Sequence, residues 1–502
     1  MGSMKARNYI KGEFREENDA QYLPIYNPST GELIGEVPNT PDKAVEKAIS
    51  AAREAFKEWR KVSMGRKMEY LFKLHDELSA QKEDLAQLIA TDQGKNIHDA
   101  RGEMARAIQL TETACAIPMM MRGDKIAVNE DIDGEVIREP LGVVGALAPF
   151  NFPALVYGWF VPFALGTGNT IVFKPSEQSP LFMQKVAEIL DKIGLPPGVF
   201  NLINGDGSVA KHMLESPDIK AVAFVGSTAV GKIIAEKCAQ TLKRSMVLAG
   251  AKNTLLVAED ANLDGFIENF INSCYGSAGQ RCMAGANVAV VESIYDEVKE
   301  RMIAAAKEIK YGDARDESLF MGPVISQKAK ERILYYIEKG IQEGANLALD
   351  GRKPELPEKN KNGYFVAPTI LSEVTPEMTV AKEEIFGPVA TLLKVANVEA
   401  GIEFMNSSEY GNGGTIFTES GYYAQKFLRE MEGGMIGVNV GVPAPMPYLP
   451  FGGTKASLLG SQIKCQGQDA VDFFTKRKVC TIRYYGIKRG MGTIDSSCTT
   501  LK

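Results

Sequence analysis

Hydrophobic and polar residues follow two spacings in the first third of the chain, and each spacing predicts an element type. Residues 9–14 and 26–38 alternate, which predicts short hairpin strands. From residue 41 to about residue 121, small and apolar residues recur every three or four positions, which predicts a run of helices. Thr40 with Asp42 resembles the cap that begins the first of them. Residues 126–142 alternate again around Asp133-Gly134, which predicts a hairpin with its turn there.

Short apolar runs then alternate with helical segments. The strand-like runs GVVGALAP, NTIVFKP, GVFNLING and AVAFVGS end in Gly, Pro or Asn, and a second block of the same kind extends from Asn253 to about Gly453. Such alternation is typical of a parallel, doubly wound sheet with helices on both faces. We therefore predict an α/β fold with two doubly wound parallel-sheet domains, followed by a strand over residues 470–485.

Composition narrows the class of protein. The chain has 502 residues, too many for one core, and its 45% hydrophobic and 24% charged residues are ordinary for a globular enzyme. The net charge of −6 argues against a nucleic-acid partner, because no basic excess exists to neutralise phosphates. The 7 cysteines form no CxxC pair. A zinc site or disulfide framework thus has little support, and reduced thiols in the cytoplasm are expected.

One uncharged stretch, residues 141–173, raises the question of a membrane segment. Pro149, Pro153 and Pro162 interrupt it. In lipid, the backbone groups freed by such breaks would need partners. The favoured interpretation is a buried strand, a turn, a helix and a second buried strand, with no membrane contact; a membrane segment is the alternative.

The segment with the clearest chemistry is YGSAGQRCMAG, residues 275–285. Cys282 follows a turn of small residues and stands beside Arg281. A neighbouring cation lowers the pKa of a thiol, and the thiolate is the nucleophile. The local sequence leaves two interpretations open, a catalytic cysteine and a buried structural one.

Six segments occur together and in order: APFNFP, FKPSEQSP, FVGST, AGQRCMA, EEIFGP and PFGGTK. Each motif is weak alone, but the set resembles the aldehyde dehydrogenase superfamily from about Tyr9 to Tyr485. The resemblance implies that Cys282 attacks a small-molecule aldehyde and holds the product as a thioester. It also implies that Asn151 and the backbone N–H of Cys282 stabilise the oxyanion. Without the resemblance, Asn151 reads as a turn residue.

The resemblance also implies a nicotinamide cofactor, although no GxGxxG follows the first strand. Gly226 and Ser227 end a strand, where a turn and helix N-terminus would meet pyrophosphate, and Phe150 is assigned to the cofactor site as well. Lys174 and Glu177 match family residues that contact the adenosine ribose. A carboxylate there accepts from the 2′-hydroxyl and repels a 2′-phosphate, so NAD is expected instead of NADP.

Two positions at which the family has glutamate bear on cofactor binding and on release of the acyl group. Glu384 in EEIFGP matches the family residue that holds the nicotinamide ribose; a solvated surface charge is the alternative. Many hydrolytic members carry ELGGK, whose glutamate activates water, but this chain has LAGAK with Leu248 at that position. Leucine cannot act as a base. Acyl transfer to coenzyme A as co-substrate is therefore expected, unless another group such as Glu384 takes over hydrolysis.

Further segments, such as GAKN and GVPAPMPYLPFGG, resemble the methylmalonate-semialdehyde dehydrogenase branch. In that branch two arginines hold the substrate carboxylate, and Arg281 and Arg106 match them. For Arg106 a surface role is the alternative. Thr454 stands where the branch commonly has tryptophan, which leaves side-chain selectivity open. A hydrolytic semialdehyde dehydrogenase, for example for succinate semialdehyde, and a non-catalytic member of the fold are the competing functions.

The resemblance finally implies a domain layout and an oligomer. The predicted parts are a dinucleotide-binding domain over 4–122 and 143–252, a catalytic domain over 253–467, an oligomerisation arm over 123–142 and 468–487, and a tail over 488–502. Family members are usually homodimers or homotetramers. We expect subunits to meet at the arm.

Overall fold

The structure is a computed structural model that describes residues 4–484, so the predicted tail at 488–502 lies outside the described residues. The strands are β1 Met4–Lys5, β2 Asn8–Ile10, β3 Glu13–Arg15, β4 Gln21–Tyr26, β5 Leu33–Asn39, β6 Lys125–Ala127, β7 Ile132–Pro140, β8 Val143–Leu147, β9 Thr170–Lys174, β10 Phe200–Leu202, β11 Ile219–Val225, β12 Arg244–Leu248, β13 Thr254–Val257, β14 Asn287–Val291, β15 Asn346–Leu349, β16 Thr369–Val374, β17 Val389–Val395, β18 Tyr410–Gly411, β19 Gly413–Phe417, β20 Met435–Val438, β21 Thr454–Lys455, β22 Leu458–Gly460 and β23 Thr475–Arg483. The helices are α1 Asp42–Trp59, α2 Met64–Ala80, α3 Lys82–Asp92, α4 Ile97–Cys115, α5 Ile117–Met120, α6 Pro153–Gly166, α7 Leu181–Lys192, α8 Gly207–Glu215, α9 Thr228–Gln240, α10 Leu263–Phe270, α11 Tyr295–Lys307, α12 Gln327–Gln342, α13 Thr379–Lys382, α14 Val398–Ser407, α15 Gly421–Glu430 and α16 Gly467–Phe474.

Two large sheets confirm the predicted α/β class. The first has the order β22-β12-β11-β8-β9-β10-β2-β3, and its five middle strands are parallel while both edges are antiparallel. The second has the order β15-β16-β17-β14-β13-β19-β20 and is parallel except at β15. In the first sheet the chain proceeds from β8 towards β10 on one side and adds β11 and β12 on the other. The resulting switch point lies between β8 and β11, where α/β folds place their ligands.

The uncharged stretch 141–173 forms β8, α6 and β9, as predicted. Residues of both strands are buried, and α6 is apolar on all its faces because α2, α4, α7 and α16 pack around it. Trp159 of α6 is 2% exposed and Phe160 is 0% exposed. Within residues 4–484, no helix has the length and hydropathy that crossing a bilayer requires.

The hairpin in the arm turns at a different place from the predicted one. Asp133 and Gly134 lie inside β7, and the chain reverses over residues 128–131. Asn129 makes that turn, since its side-chain Oδ1 accepts from the backbone N–H groups of Asp131 and Ile132 at 3.0 and 2.9 Å. The Asn129 side chain thus forms an Asx turn, and the hairpin reverses there and not at Asp133-Gly134.

Two other local expectations were wrong. Residues 467–474 form α16 and not a strand, because their apolar side chains are buried around α6, and the tail strand begins only at Thr475. This strand, β23, pairs with β7 of the same chain. Thr40 does not cap α1, since its hydroxyl donates to Asn204 O at 2.6 Å. The domain boundaries and the role of the arm between subunits stay predictions.

Candidate active site

The carboxyl ends of neighbouring strands in the first sheet bring the predicted cofactor residues together. β8, β9 and β11 are adjacent, and each is followed by one of these residues: Phe150 after β8, Lys174 at the end of β9, and Gly226 after β11. Phe150 and Gly226 therefore flank the switch point. A nucleotide lying along this edge would contact all three strand ends.

The turn from β11 into α9 has the features of an anion site. A Cβ on Gly226 would lie 2.4 Å from the Phe224 ring, so only glycine fits. Ser227 is the residue before α9, and its side chain makes no capping hydrogen bond. Its hydroxyl and the first N–H groups of the helix are thus available to a phosphate. Gly231 lets α9 approach the sheet, because a Cβ there would lie 2.9 Å from Val247.

Lys174 and Glu177 form a pair at the end of β9. The ammonium Nζ lies 3.6 Å from the Glu177 carboxylate and donates to Pro175 O at 2.9 Å. Burial lowers the pKa of Lys174, and the charge of Glu177 opposes that shift. Glu177 keeps 35% of its side chain exposed, so its carboxylate has room for a further donor such as a ribose hydroxyl.

The backbone before Cys282 is tightly constrained. A π-helical turn over Ile271–Tyr275 leads into left-handed residues Ser277 and Ala278, with φ of 51° and 53°. Gly279 follows with φ of 70°, and a Cβ on it would lie 2.1 Å from Gly387 O. Left-handed non-glycine residues carry strain that persists where the surroundings impose it, often at functional sites.

Side chains from distant segments fix the nucleophile itself. The Cys282 carbonyl accepts from Asn253 Nδ2 at 2.8 Å and from Asn412 Nδ2 at 2.9 Å. Asn151 is 6% exposed, and its Nδ2 donates to Gln280 O at 3.1 Å. An amide NH₂ carries two hydrogens. The second hydrogen of Asn151 can therefore serve a ligand beside Cys282.

Cys282 lines two cavities. One, of about 350 Å³, is bordered by Phe150, Asn151, Gly226, Ser227, Glu384 and Cys282. The other, of about 250 Å³, is bordered by Arg106, Arg281, Phe152, Phe451 and Cys282. Every predicted site residue except Lys174 and Glu177 thus borders one of two cavities that share the thiol, and those two lie along the same sheet edge.

The protonation state of Cys282 differs from the expected one. Burial, and after it the charge of Glu384, raise the pKa of its thiol to about 12. The guanidinium of Arg281 turns away to Asp99, and the cation that lowers the pKa of Cys282 is Lys95. The expectation that Arg281 activates the thiol was wrong, since adjacency along the chain does not place the charge beside the sulfur.

The two candidate arginines differ in their partners. Arg281 donates to Asp99 Oδ1 at 2.6 Å, to Asn272 O at 3.0 Å and to Ser277 Oγ at 3.3 Å. Arg106 contacts the Met446 sulfur at 3.6 Å, and within residues 4–484 it forms no ion pair. Arg106 is therefore the cation with hydrogen-bond capacity left for a ligand in the 250 Å³ cavity.

Glu384 borders the 350 Å³ cavity and lies between α13 and β17, a strand of the second sheet. Its Oε1 accepts from Ala251 N at 3.2 Å, and burial raises the pKa of the carboxyl to about 7. Arg332 of α12 donates to the backbone oxygens of Glu384 and Ile385 at 2.6 and 2.9 Å. Phe386 follows with a left-handed φ of 60° and meets the Phe150 ring edge-on at 6.0 Å.

Leu248 ends β12 and is 4% exposed. It packs in the same apolar cluster as Cys282 and Phe451. No base thus stands at the position where hydrolytic relatives carry glutamate, as the sequence indicates.

Several site residues escaped the sequence analysis. They are Lys95, Asp99, Glu103, Asn253, Arg332, Phe386 and Asn412. Five of the seven lie outside the segments that carry the resemblance. Asn253 lies in GAKN and Phe386 in EEIFGP, so these two segments were the available signals.

Comparisons with known proteins agree with this geometry. The model of the aldehyde dehydrogenase family matches residues 14–480. Malonate-semialdehyde dehydrogenase of Bacillus subtilis is 44% identical over 481 residues, which cover 96% of this chain and 98% of that protein. Among solved structures, methylmalonate-semialdehyde dehydrogenase from Oceanimonas doudoroffii matches with a TM-score of 0.94 and 37% identity, covering 96% and 99% of the two chains. The NAD+ complex of aldehyde dehydrogenase from Bacillus cereus matches with a TM-score of 0.91 and 32% identity, covering 96% and 97%. On this evidence, and with its nucleophile between two cavities, the chain belongs to the aldehyde dehydrogenase family.

Proposed function

We propose that the protein oxidises malonate semialdehyde or methylmalonate semialdehyde with NAD and transfers the acyl group to coenzyme A. The observation that carries the proposal is the thiol of Cys282 between two cavities, one of which is bordered by Arg106, a cation that forms no ion pair with the residues between 4 and 484. The names of the relatives from Bacillus subtilis and Oceanimonas doudoroffii support the same substrate class.

The side chains around Cys282 support the following sequence of steps. Cys282 first loses its thiol proton, which is the proton released in the overall reaction, because burial keeps the thiol protonated in the resting site. The thiolate then adds to the aldehyde carbon, and the resulting oxyanion accepts from Asn151 Nδ2 and from the backbone N–H of Cys282. A nicotinamide cofactor held in the 350 Å³ cavity would supply the hydride acceptor for that adduct. The remaining acyl group is a thioester on Cys282, and the thiol of coenzyme A displaces it. The sum is aldehyde, NAD+ and coenzyme A giving acyl-coenzyme A, NADH and a proton.

The residues present fit NAD. Ser227 and the N-terminus of α9 offer donors to the pyrophosphate, and the glycine at 226 lets the backbone approach it. Lys174 and Glu177 would hold the adenosine ribose, and Glu384 the nicotinamide ribose. The half-exposed carboxylate of Glu177 favours NAD over NADP, because it repels a 2′-phosphate.

The substrate carboxylate would bind in the 250 Å³ cavity. Arg106 supplies the free guanidinium, which can meet a carboxylate with two parallel hydrogen bonds. Arg281 borders the same cavity but is paired with Asp99, so we assign it the secondary contact.

The proposal that coenzyme A accepts the acyl group is based on the residue at position 248, which is leucine. Water needs a base to attack a thioester at a useful rate, and a buried leucine occupies the position of that base. Coenzyme A brings its own nucleophilic sulfur and so needs less help.

The deciding experiment measures NADH formation with malonate, methylmalonate and succinate semialdehydes, with and without coenzyme A, and identifies the products by mass spectrometry. Acyl-coenzyme A formation that depends on the added thiol supports the proposal. Free acid formed equally fast without coenzyme A would establish the hydrolytic alternative instead. Retained turnover in Cys282→Ala would remove the mechanism altogether.

We further propose that the protein acts in the cytoplasm as a homodimer or homotetramer. The six cysteines of residues 4–484 are all free thiols, which suits a reducing compartment. Apolar side chains on the arm sheet, among them Ile126 and Val479, are 66% and 73% exposed in the single chain and would be covered by another subunit.

A further inference from the structure

A buried ion pair lies next to the oxyanion asparagine. Lys95 stands in the loop between α3 and α4, and Glu103 lies in the second turn of α4. Both side chains are 0% exposed, and Nζ of Lys95 lies 2.6 Å from Glu103 Oε2. The pair is part of neither the nucleophile's own loop nor the cofactor turn.

Each hydrogen of the Lys95 ammonium has a partner. One goes to Glu103, one to the backbone oxygen of Asn151 at 2.7 Å, and the third direction faces the Phe152 ring at 3.6 Å from its centroid. Ammonium over an aromatic face is an attractive contact, and it is strongest away from water. Lys95 thus fixes the backbone of the residue whose side chain would stabilise the oxyanion.

Glu103 holds the other end of the same segment. Its Oε1 accepts from the backbone N–H groups of Ala154 and Leu155 at 2.7 and 3.0 Å. These are the first N–H donors of α6, because Pro153 has no backbone N–H. Phe152, the residue before the helix, has no side chain that could cap them, so Glu103 takes that role. A carboxylate at a helix N-terminus also meets the positive end of the helix dipole.

We propose that the Lys95–Glu103 pair positions Asn151 against Cys282 by holding the segment 151–155 from both ends. Lys95 and Glu103 are positioning residues in this scheme, because they act through Asn151; the charge of Lys95 also lowers the pKa of Cys282 directly. The inference rests on the proposed function, since it assumes that Asn151 stabilises an oxyanion formed at Cys282.

Stability alone does not account for the pair. Removing two charges from water is costly, and well-packed apolar residues of similar volume often serve a buried site as well or better. The order of the two charges is also specific. The Asn151 carbonyl needs a donor, which Lys95 supplies, and the N-terminus of α6 needs an acceptor, which Glu103 supplies. A shift of about 1 Å in a reacting group can reduce a rate about 10²-fold. The pair holds the segment 151–155 at both ends, Lys95 at the Asn151 carbonyl and Glu103 at the N–H groups of Ala154 and Leu155, where an apolar pair would hold neither.

The main test is the double variant Lys95→Met with Glu103→Leu, which removes both charges and leaves no buried charge unpaired. We expect the Kd for NAD to be unchanged while kcat falls about 10²-fold. The melting temperature should fall, because the Asn151 carbonyl and the first N–H groups of α6 lose their partners. The matched control is Lys57→Met with Glu54→Leu, an exposed pair on α1 at 2.8 Å, which should keep the wild-type kcat. Wild-type kcat in the buried double variant overturns the inference.

A double-mutant cycle with Asn151→Ala separates positioning from a general structural role. If the pair acts through Asn151, the loss in kcat caused by the double variant largely disappears once Asn151 is alanine. Fully additive losses overturn the inference. Should the double variant not fold, Lys95→Arg keeps the charge but reaches further; we expect kcat to fall with the Kd for NAD retained, and an unchanged kcat overturns the inference.

The same set of proteins tells the two proposals apart. If Cys282→Ala and Asn151→Ala both impair turnover but the pair variants do not, only the positioning role fails. If Cys282→Ala retains turnover, the proposed function fails and the positioning role fails with it.

Discussion

Arg281 Nη2 donates to Asp99 Oδ1 at 2.6 Å, so the arginine beside the nucleophile is neutralised by its own protein before any ligand arrives. Asp99 also accepts from the backbone N–H of Ser277 at 2.8 Å. The carboxylate therefore holds the strained loop and the guanidinium together. We therefore expect different roles for the two arginines that border the 250 Å³ cavity. Arg106 should bind the substrate, and Arg281 should support the loop that carries Cys282.

Arg106→Leu should raise the KM for malonate semialdehyde about 10–10²-fold and leave propanal oxidation unchanged. The reason is the loss of a charge-assisted hydrogen bond to the substrate carboxylate, worth ~1.5–3 kcal/mol. The matched control is Arg101→Leu on the same helix, where the arginine is paired with Glu83 at the surface. An equal effect of Arg106→Leu on both aldehydes would remove its role in recognition.

Arg281→Leu should instead lower kcat for both aldehydes, because the loop that carries Cys282 loses three side-chain hydrogen bonds. Steady-state kinetics with malonate semialdehyde and propanal measure the effect. A change confined to the KM of the carboxylated substrate would show that Arg281 is the principal anchor after all.

Asn151→Ala should reduce kcat about 10²–10³-fold, the usual effect of removing one oxyanion donor. The Kd for NAD should stay at its wild-type value, because the side chain donates to Gln280 O and not to the cofactor turn. Stopped-flow measurement of the first turnover of NADH isolates this step. A wild-type burst rate would contradict the assignment.

Leu248→Glu should increase release of free acid in the absence of coenzyme A by at least about tenfold, since a carboxylate beside the thioester can act as general base. Leu248→Gln is the control of equal size without a base, and it should not increase hydrolysis. Because the position is buried, the melting temperature of the glutamate variant should fall. Hydrolysis that is equal in both variants would show that water reaches the thioester by another route.

Alkylation of Cys282 by iodoacetamide should increase with pH up to about 12 in the cofactor-free protein, because burial raises the pKa of the thiol to about 12. A raised pKa means that less thiolate is present at any pH below it. Glu384→Gln removes the negative charge that adds to this shift, so labelling at pH ~8 should be faster. Peptide mass spectrometry measures the labelled fraction. A labelling rate that stops increasing just above the ordinary thiol pKa of about 8.5 would contradict this prediction.

Glu177→Gln should reduce the preference for NAD over NADP about tenfold, or ~1.4 kcal/mol, by removing the charge that repels a 2′-phosphate. The ratio of the two kcat/KM values measures it. Glu188→Gln, at a surface ion pair with Lys185, is the control and should leave the ratio unchanged.

The sequence predicted those parts of the site that depend on short segments. Gly226, Ser227 and Cys282 are recognisable because the turn and the loop are continuous along the chain, and the strand ends they follow are adjacent in the sheet. The α/β class followed from alternation alone. Stretch 141–173 was correctly divided because Pro149 and Pro153 lie between β8 and the first turn of α6, whereas Pro162 lies inside α6.

The sequence could not predict contacts that depend on where a side chain points in the folded protein. Arg281 stands beside Cys282 in the chain, yet its guanidinium reaches Asp99, 182 positions away. Lys95 and Glu103 lie in a helical region where charged residues are normally solvated, and only the packing of α4 against α6 buries them. The arm's turn was misplaced for a related reason, since two turn signals four residues apart competed and local chemistry did not rank them.

The position of Cys282 between two cavities has a consequence for the order of events in a catalytic cycle. On the proposed function, a reduced cofactor would leave from the larger cavity while the acyl group stays on the sulfur and its carboxylate stays in the smaller one. The first product would then depart before the last substrate arrives, which is a double-displacement scheme. The enzyme would spend part of each cycle as a covalent intermediate, a storage form whose lifetime is set by the supply of acceptor thiol and not by the supply of aldehyde.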